Sequence, residues 1–271
     1  MPIGRATSVF DTDAIYKALE EWVREPEYRC TLRPNKQTGK YEPNKLADGT
    51  MRVWEPPKPP DEEQYVIGAD SGSGLKEGDA SCGYVQSRLT GTIVAEIYGQ
   101  FIPRRFAKEL AALGWWYNGA LICPEVEPSA QGRSTCDELE NLGYINIYQQ
   151  RREKIIGDPL TKRYGLPMTK DQKDRVVGIG REVIEERQLR SPVREFWLEL
   201  LNFVEHPSGR MAADMGLKDD RVMAYLCTLE AYFRAGPWKP KPKIGPAPDW
   251  MGKLLGAYTG GAAGDRAWMA N

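Results

Sequence analysis

The sequence predicts an α/β fold, a mixed five-stranded sheet flanked by helices, and three observations predict it. Three strand-like runs, "YVIGAD" from Tyr65, "ASCGYVQS" from Ala80 and "GTIVAEIYGQF" from Gly91, follow one another too closely for crossover helices, so they form an antiparallel meander. From Pro103 to Gln150 helical and strand patterns alternate, which adds strands to make a mixed sheet. Three more helical periods then close the chain and supply helices to flank that sheet.

In chain order, "DTDAIYKALEEWV" reads as a helix, with Asp13 near its start and apolar residues at helical spacing. From Arg24 to Pro60 the chain is polar and turn-rich; "GTMRVW" is its expected strand and "EPPKPP" a stiff connector. Residues 1–60 therefore read as a lead-in, residues 61–236 as the core domain, and residues 237–271 as a Pro/Lys-rich linker with a mobile tail. After the meander, "PRRFAKELAALG" is a helix with Pro103 at its first position and Gly114 at its end. "ALICPEVE" is the fourth strand, "GRSTCDELENLG" a helix ending at Gly143, and "YINIYQQ" the fifth strand. Residues 150–170, basic and rich in glycine and proline, form a hairpin or flap. "KDQKDRVVGIGREVIEERQL", "PVREFWLELLNFVEH" and "DDRVMAYLCTLEAYFRAG" are the three closing helices.

Composition narrows the chemistry. The 271 residues are 41% hydrophobic, ordinary for a soluble globular protein. No run approaches the roughly 18 apolar residues of a membrane span, and the start lacks a signal-peptide apolar region. The five cysteines are scattered, with no C-x-x-C pair, which argues against a zinc site and for reduced thiols in a cytosolic protein. A net charge of -1 excludes a strongly basic nucleic-acid coat but leaves room for a local basic face. The single histidine, His206, sits in "EHPSGR" with no nucleophile nearby, so carboxylates are expected to carry the chemistry.

Asp70 ends the first core strand. Glu125 ends the fourth, with Glu127 two residues on and on the same face, and Asp219 and Asp220 open the last helix. With strands one and four side by side and the final helix packed across them, these acids meet at one sheet end. Unpaired carboxylates repel, so such a cluster makes sense only with cations. Oxygen ligands suit Mg²⁺ or Mn²⁺, and two such ions roughly 3.5–4 Å apart activate water and stabilise the leaving oxygen in phosphodiester hydrolysis. Taken singly, each acid has a plainer reading as a turn residue, a surface residue beside Pro124 or a helix cap; their joint placement favours the metal site. Gly72, Gly74 and Gly78 do not form a dinucleotide fingerprint, because a strand rather than a helix follows them. No G-x-x-x-x-G-K-[ST] occurs, so no P-loop ATPase is expected here. The basic stretch of Arg151, Arg152, Lys154, Lys162, Arg163, Lys170 and Lys173, with Tyr148 and Tyr164, reads either as a set of DNA phosphate contacts or as a solvated loop diluted by Glu153, Asp158 and Asp171.

Four segments, "YVIGADSGSGLKEGDASCGYV", "ALICPEVEPSAQG", "YINIYQQRR" and "LKDDRVMAYLCTL", resemble in that order the nuclease domain of tailed-bacteriophage terminase large subunits. The resemblance implies an RNase H-like fold with an inserted flap. It implies a metal-dependent endonuclease that cleaves double-stranded DNA with little sequence specificity during viral genome packaging, in the host cytoplasm, with two Mg²⁺ or Mn²⁺ ions. Asp70 corresponds to the first acid. Glu125 corresponds to the second, with Glu127 as a further ligand because the spacing back from Gly132 points to it. Asp220 corresponds to the third, with Asp219 beside it, and Asp79 and Asp214 stand in reserve. Lys218 occupies a place where the family often has histidine. The implied partners are double-stranded DNA, an ATPase motor on a separate chain or a missing N-terminal domain, the portal and the small terminase subunit. The rivals are another RNase H-like nuclease, such as a junction resolvase or transposase, and a non-catalytic packaging adaptor.

Overall fold

The structure, a computed structural model, describes residues 7–75, 78–127, 130–150, 163–237 and 239. A short β1 (Thr7–Ser8) leads into α1 (Thr12–Trp22), whose N-cap Asp11 accepts a hydrogen bond from Ala14 N at 2.8 Å. Next come β2 (Tyr28–Pro34), β3 (Tyr41–Lys45) and β4 (Met51–Val53), then the meander β5 (Tyr65–Asp70), β6 (Ser81–Ser87) and β7 (Ile93–Gly99). They are followed by α2 (Pro103–Trp116), β8 (Leu121–Glu127), α3 (Ala130–Asn141), β9 (Leu166–Pro167), α4 (Lys170–Glu185) and α5 (Arg194–Leu201). The hairpin β10 (Phe203–Glu205) and β11 (Met211–Ala213) precedes α6 (Asp220–Ala235).

The main sheet runs β3-β2-β4-β7-β6-β5-β8-β9. Its pairs are antiparallel as far as β5; β8 then joins β5 in parallel, with Gly68 opposite Cys123 and Ala69 opposite Pro124, and β9 joins β8 in parallel. A mixed sheet, antiparallel then parallel, flanked by helices, is the architecture expected from the sequence. It has eight strands rather than five. β4 pairs with β7 and so ties β2 and β3, from the N-terminal segment, to the same sheet. "YINIYQQ" does not form a regular strand: it makes isolated bridges from Ile147 to Ile122 and from Gln149 to Tyr164, and β9 takes the outer place. The second closing helix is shorter than expected. It stops at Leu201, and "FVE" becomes β10, paired with β11 and β1 in a separate three-stranded sheet. α2 runs two residues past Gly114, which packs beneath Tyr144 rather than ending the helix. Residues 151–162 of the expected flap lie outside the described residues; its base is closed by Gln150 N donating to Arg163 O at 3.0 Å.

Side-chain alternation along the central strands builds two cores. From β5, Tyr65, Ile67 and Ala69 enter the core shared with α2 and α3, while Val66 enters the core shared with α1, α4, α5 and α6. Cys82 and Tyr84 of β6 and Cys123 of β8 share Val66's side. α6 is buried on nearly every face, so its run from Val222 to Leu229 is apolar without a polar stripe. All five cysteines are buried and outside any disulfide. Among the described residues, no helix is long and apolar enough to cross a membrane.

Gly68 sets how closely α6 approaches the sheet. A Cβ there would stand 1.9 Å from Thr228 N and 2.5 Å from Ala224 O. Gly68→Ala is therefore expected to push α6 off β5 and cost about 1–3 kcal/mol or more, as overpacking against backbone does. Thermal unfolding checks this, and an unchanged midpoint would refute it.

Candidate metal centre

Asp70 shares the parity of Val66 and Gly68, so the final residue of β5 points to the α6 side of the sheet. Extending the β5–β8 register by one residue sets Asp70 beside Glu125, which shares the parity of Cys123 and the same side. Gly132 on α3 fixes the Glu125 backbone, because a Cβ there would lie 1.6 Å from Glu125 O. α6 brings its N-terminal acids to the same sheet end. Asp70, Glu125 and Asp219 all line one cavity of about 700 Å³.

The two neighbouring aspartates have different surroundings. Asp220, the first residue of α6, is 2% exposed, and its Oδ2 accepts from Ala80 N at 3.2 Å and from the Tyr98 hydroxyl at 3.3 Å. Asp219 stands at the N-cap position but makes no side-chain capping bond; its Oδ2 instead accepts from Ala213 N at 3.1 Å, anchoring β11. Asp219 lines the cavity, while the buried Asp220 acts on the Asp70 carboxyl more strongly than Asp219 does. Glu125 is 6% exposed, and among the described residues its Oε2 has no hydrogen-bond partner. Regular alternation would put Glu127 on Glu125's face, but the pairing with β9 shifts register between them; the Glu127 side chain is outside the described residues.

The electrostatics match the crowding. Burial, then Glu125, Asp220 and Asp219, hold the Asp70 carboxyl well above the usual carboxylate range. Burial pushes Glu125 up to about 7, with Lys173 pulling it down and Asp219 up. Burial likewise raises Asp220 to about 6. Lys173, four residues into α4, lines the cavity with Lys170 and Arg210; burial lowers its pKa, while Asp219 and Glu125 hold it up. Among the described residues no three acids converge tightly enough to form a ready-made metal cage; they share a cavity wall instead. Hard carboxylate donors, one of them with an orphaned buried oxygen, nevertheless fit a divalent oxygen-seeking cation.

This arrangement has a pH signature. The folded-state pKa values of Asp70, Glu125 and Asp220 lie above their unfolded values. The stability these groups contribute is therefore complete below the unfolded carboxylate range; for Asp220 and Glu125 it is lost as pH rises through about 6 and about 7. In EDTA the thermal midpoint is expected to fall between about pH 5.5 and about pH 8, and Glu125→Gln to flatten that fall. A profile identical in Glu125→Gln and wild type would contradict it.

Of the other residues singled out in the sequence, Lys170 lines the cavity and Arg163 is exposed at the flap base. Arg151, Arg152, Lys154 and Lys162 lie outside the described residues. Asp79 lines the cavity and pairs with Lys218 at 2.8 Å, and Lys218 also donates to Gly78 O at 3.1 Å. Asp214 does not reach the cavity; its Oδ1 accepts from Met215 N in a turn. His206 contacts Ala213 O at 3.2 Å, a loop contact as expected. Sequence reasoning missed Arg210, which has no motif around it, and placed Lys173 in a basic loop rather than in the acid pocket. It also missed Arg221, although "DDRV" sets it directly after the acids. Its guanidinium lies 3.6 Å from the Tyr98 ring centroid and bonds Glu96 Oε1 at 2.9 Å and Glu199 Oε1 at 2.8 Å.

No protein-family model and no curated protein sequence matches the chain. Solved structures do. The magnesium-bound large terminase nuclease of thermophilic phage G20c is 21% identical with a TM-score of 0.57, over 80% of this chain and 96% of that one. The cobalt-bound form of the same nuclease gives a TM-score of 0.56 at 21% identity, over 80% and 96%. The large terminase nuclease domain of Thermus phage P74-26 gives a TM-score of 0.55 at 21% identity, over 83% of this chain and 98% of that one. The fold of this chain is therefore the fold of those nuclease domains, matched over nearly their whole length.

Proposed function

We propose that this chain is a metal-dependent endonuclease of the terminase large-subunit type, cutting double-stranded DNA during viral genome packaging. What carries the reading is the orphaned Oε2 of Glu125, buried in a cavity that it shares with Asp70 and Asp219. The shared fold, found in nuclease domains solved with bound magnesium and cobalt, supports it.

Asp70, Glu125 and Asp219 are assigned to hold Mg²⁺ or Mn²⁺, two ions in the loaded site, with Asp220 and Glu127 as the further candidate ligands. Divalent ions bound there supply charge neutralisation, polarisation of the phosphodiester and activation of water. The chain's own residues do the rest. Asp220 accepts from Ala80 N and the Tyr98 hydroxyl, which fixes the first turn of α6 and, through it, Asp219. Asp219 in turn anchors the β10–β11 hairpin, and with it the neighbourhood of Arg210. Lys170, Lys173 and Arg210 give the cavity a cationic lining suited to a DNA phosphate, which would make cleavage largely indifferent to sequence. Arg151, Arg152, Lys154, Lys162 and Arg163 are assigned to the flanking backbone. In this reading residues 61–236 carry the nuclease, residues 1–60 the approach from an ATPase motor and residues 237–271 a docking tail, with the portal and small terminase subunit as further partners in the host cytoplasm.

The test is nicking of supercoiled plasmid with Mg²⁺ or Mn²⁺. Cleavage is expected with either ion and is expected to stop in EDTA. No cleavage at high protein concentration would overturn the reading in favour of a non-catalytic packaging module; a strong preference for four-way junctions or RNA–DNA hybrids would move it to another nuclease class.

A further inference from the structure

We propose that Lys173 couples cation binding to phosphate binding in this pocket: it is the resident counter-charge of the empty site and the ligand of the DNA phosphate in the loaded one, an inference that rests on the nuclease reading above. The cavity is lined by acids from β5, β8 and the α6 start, and by cations from the α4 start and the β10–β11 turn. Among the described residues the Lys173 ammonium makes no hydrogen bond and no ion pair within 4 Å; it stands 5.3 Å from the centroid of the Phe203 ring and feels Asp219 and Glu125 only through space. Glu125 Oε2 is also unpartnered, and it is buried. Among the described residues, an unpartnered carboxyl oxygen and an unpaired ammonium thus line the same space without touching.

Two opposite charges that share a partly buried pocket normally close on each other unless the backbone holds them apart. Here it does. Lys173 is carried by a long helix whose N-cap, Thr169, accepts from Gln172 N, and whose next turn is buried through Val176 and Val177. Glu125 is fixed by strand pairing and by Gly132. A gap lined by acids and by a lysine fits a ligand carrying both signs of charge, namely a divalent cation with a phosphodiester on it. Without the phosphate, an arriving cation meets the repulsion of Lys173; with it, that repulsion becomes attraction. The two ligands must then tighten each other by the same factor.

Calorimetric titration of Mn²⁺ into the metal-stripped full chain, together with Ca²⁺-supported binding of a short DNA duplex, separates the terms. Lys173→Met is expected to bind Mn²⁺ alone about tenfold more tightly than wild type and the duplex about tenfold more weakly, within the usual range of coupling between ligands. Lys173→Arg, which keeps the charge, is expected to follow wild type in both. Lys173→Gln stands in if the methionine variant does not fold, judged by its midpoint in EDTA. Unchanged or weaker Mn²⁺ affinity in the charge-free variants, or unchanged duplex affinity, overturns the coupling role while leaving the nuclease reading intact. A wild-type chain that takes up no Mn²⁺ overturns both.

Discussion

Asp70→Asn is expected to lose divalent-ion-dependent DNA cleavage by on the order of 10³-fold or more, because a charge placed for the reacting groups is worth several kcal/mol of barrier. The same substitution is expected to hold or raise the thermal midpoint in EDTA. Asp70 closes β5 among Glu125, Asp220 and Asp219, and burial with these neighbours holds its carboxyl well above the usual range. Asparagine keeps the shape and removes one of the mutually repelling charges. With Mn²⁺ added the order should reverse: wild type gains stability from the ion and the variant gains less, since a ligand that binds only the folded state stabilises it by mass action. Cleavage that survives would remove Asp70 from the reaction. A variant that unfolds in EDTA would mark the residue as structural and sink the assignment by a different route.

The opposite effects on activity and stability follow from how the site is built. Its acids sit at or near the ends of three regular elements, fixed in part by Gly68 beneath α6 and Gly132 against the Glu125 carbonyl. Rigid placement lets the chain tolerate a repulsive cluster that would otherwise spread. The orphaned Glu125 oxygen is the local cost of that placement.

Much of this was legible in the sequence because the signals are local. "YVIGAD" and "ALICPEVE" read as short apolar strands ending on acids, and the α6 run is long and apolar, so element order allowed side-by-side strands and a crossing helix, which the structure has. What was not legible depends on pairing across long stretches of chain. β2 and β3 join the sheet through the three-residue β4, too short to announce a partner, and Thr7–Ser8 meets Val204 and Glu205 nearly two hundred residues away. "YINIYQQ" has strand composition but only isolated bridges, a tertiary outcome overriding propensity. The choice between Asp219 and Asp220 rests on where α6 starts, a matter of one residue that no pattern resolves. Lys173 stood out only as one cation of a basic stretch; its place in the acid pocket was not legible, because only the packing of α4 turns it inward.

Arg221→Met is expected to destabilise the chain by about 3–5 kcal/mol, the usual cost of removing one partner from a buried ion network. Arg221 is 8% exposed and lies between Glu96 and Glu199. Glu96 also accepts from the Tyr84 hydroxyl at 3.1 Å and pairs with Arg52, which reaches Glu195 at 3.0 Å. Glu199 Oε2 accepts from Arg221 N at 2.8 Å, so a carboxylate from α5 satisfies the first turn of α6, where Asp219 makes no side-chain cap. Removing the guanidinium leaves Glu96 with Arg52 but strands Glu199, which burial already holds up to about 7 with Arg221 pulling it down. Its folded pKa would rise further. The variant's deficit should then be largest near pH 8 and shrink toward about pH 5.5, where the glutamate takes up a proton without penalty. Adding Glu199→Gln should recover part of the loss at the higher pH only. An equal deficit at both pH values would assign the effect to lost packing over the Tyr98 ring instead. Because that ring's hydroxyl donates to Asp220, loosened metal binding should accompany the destabilisation in either case.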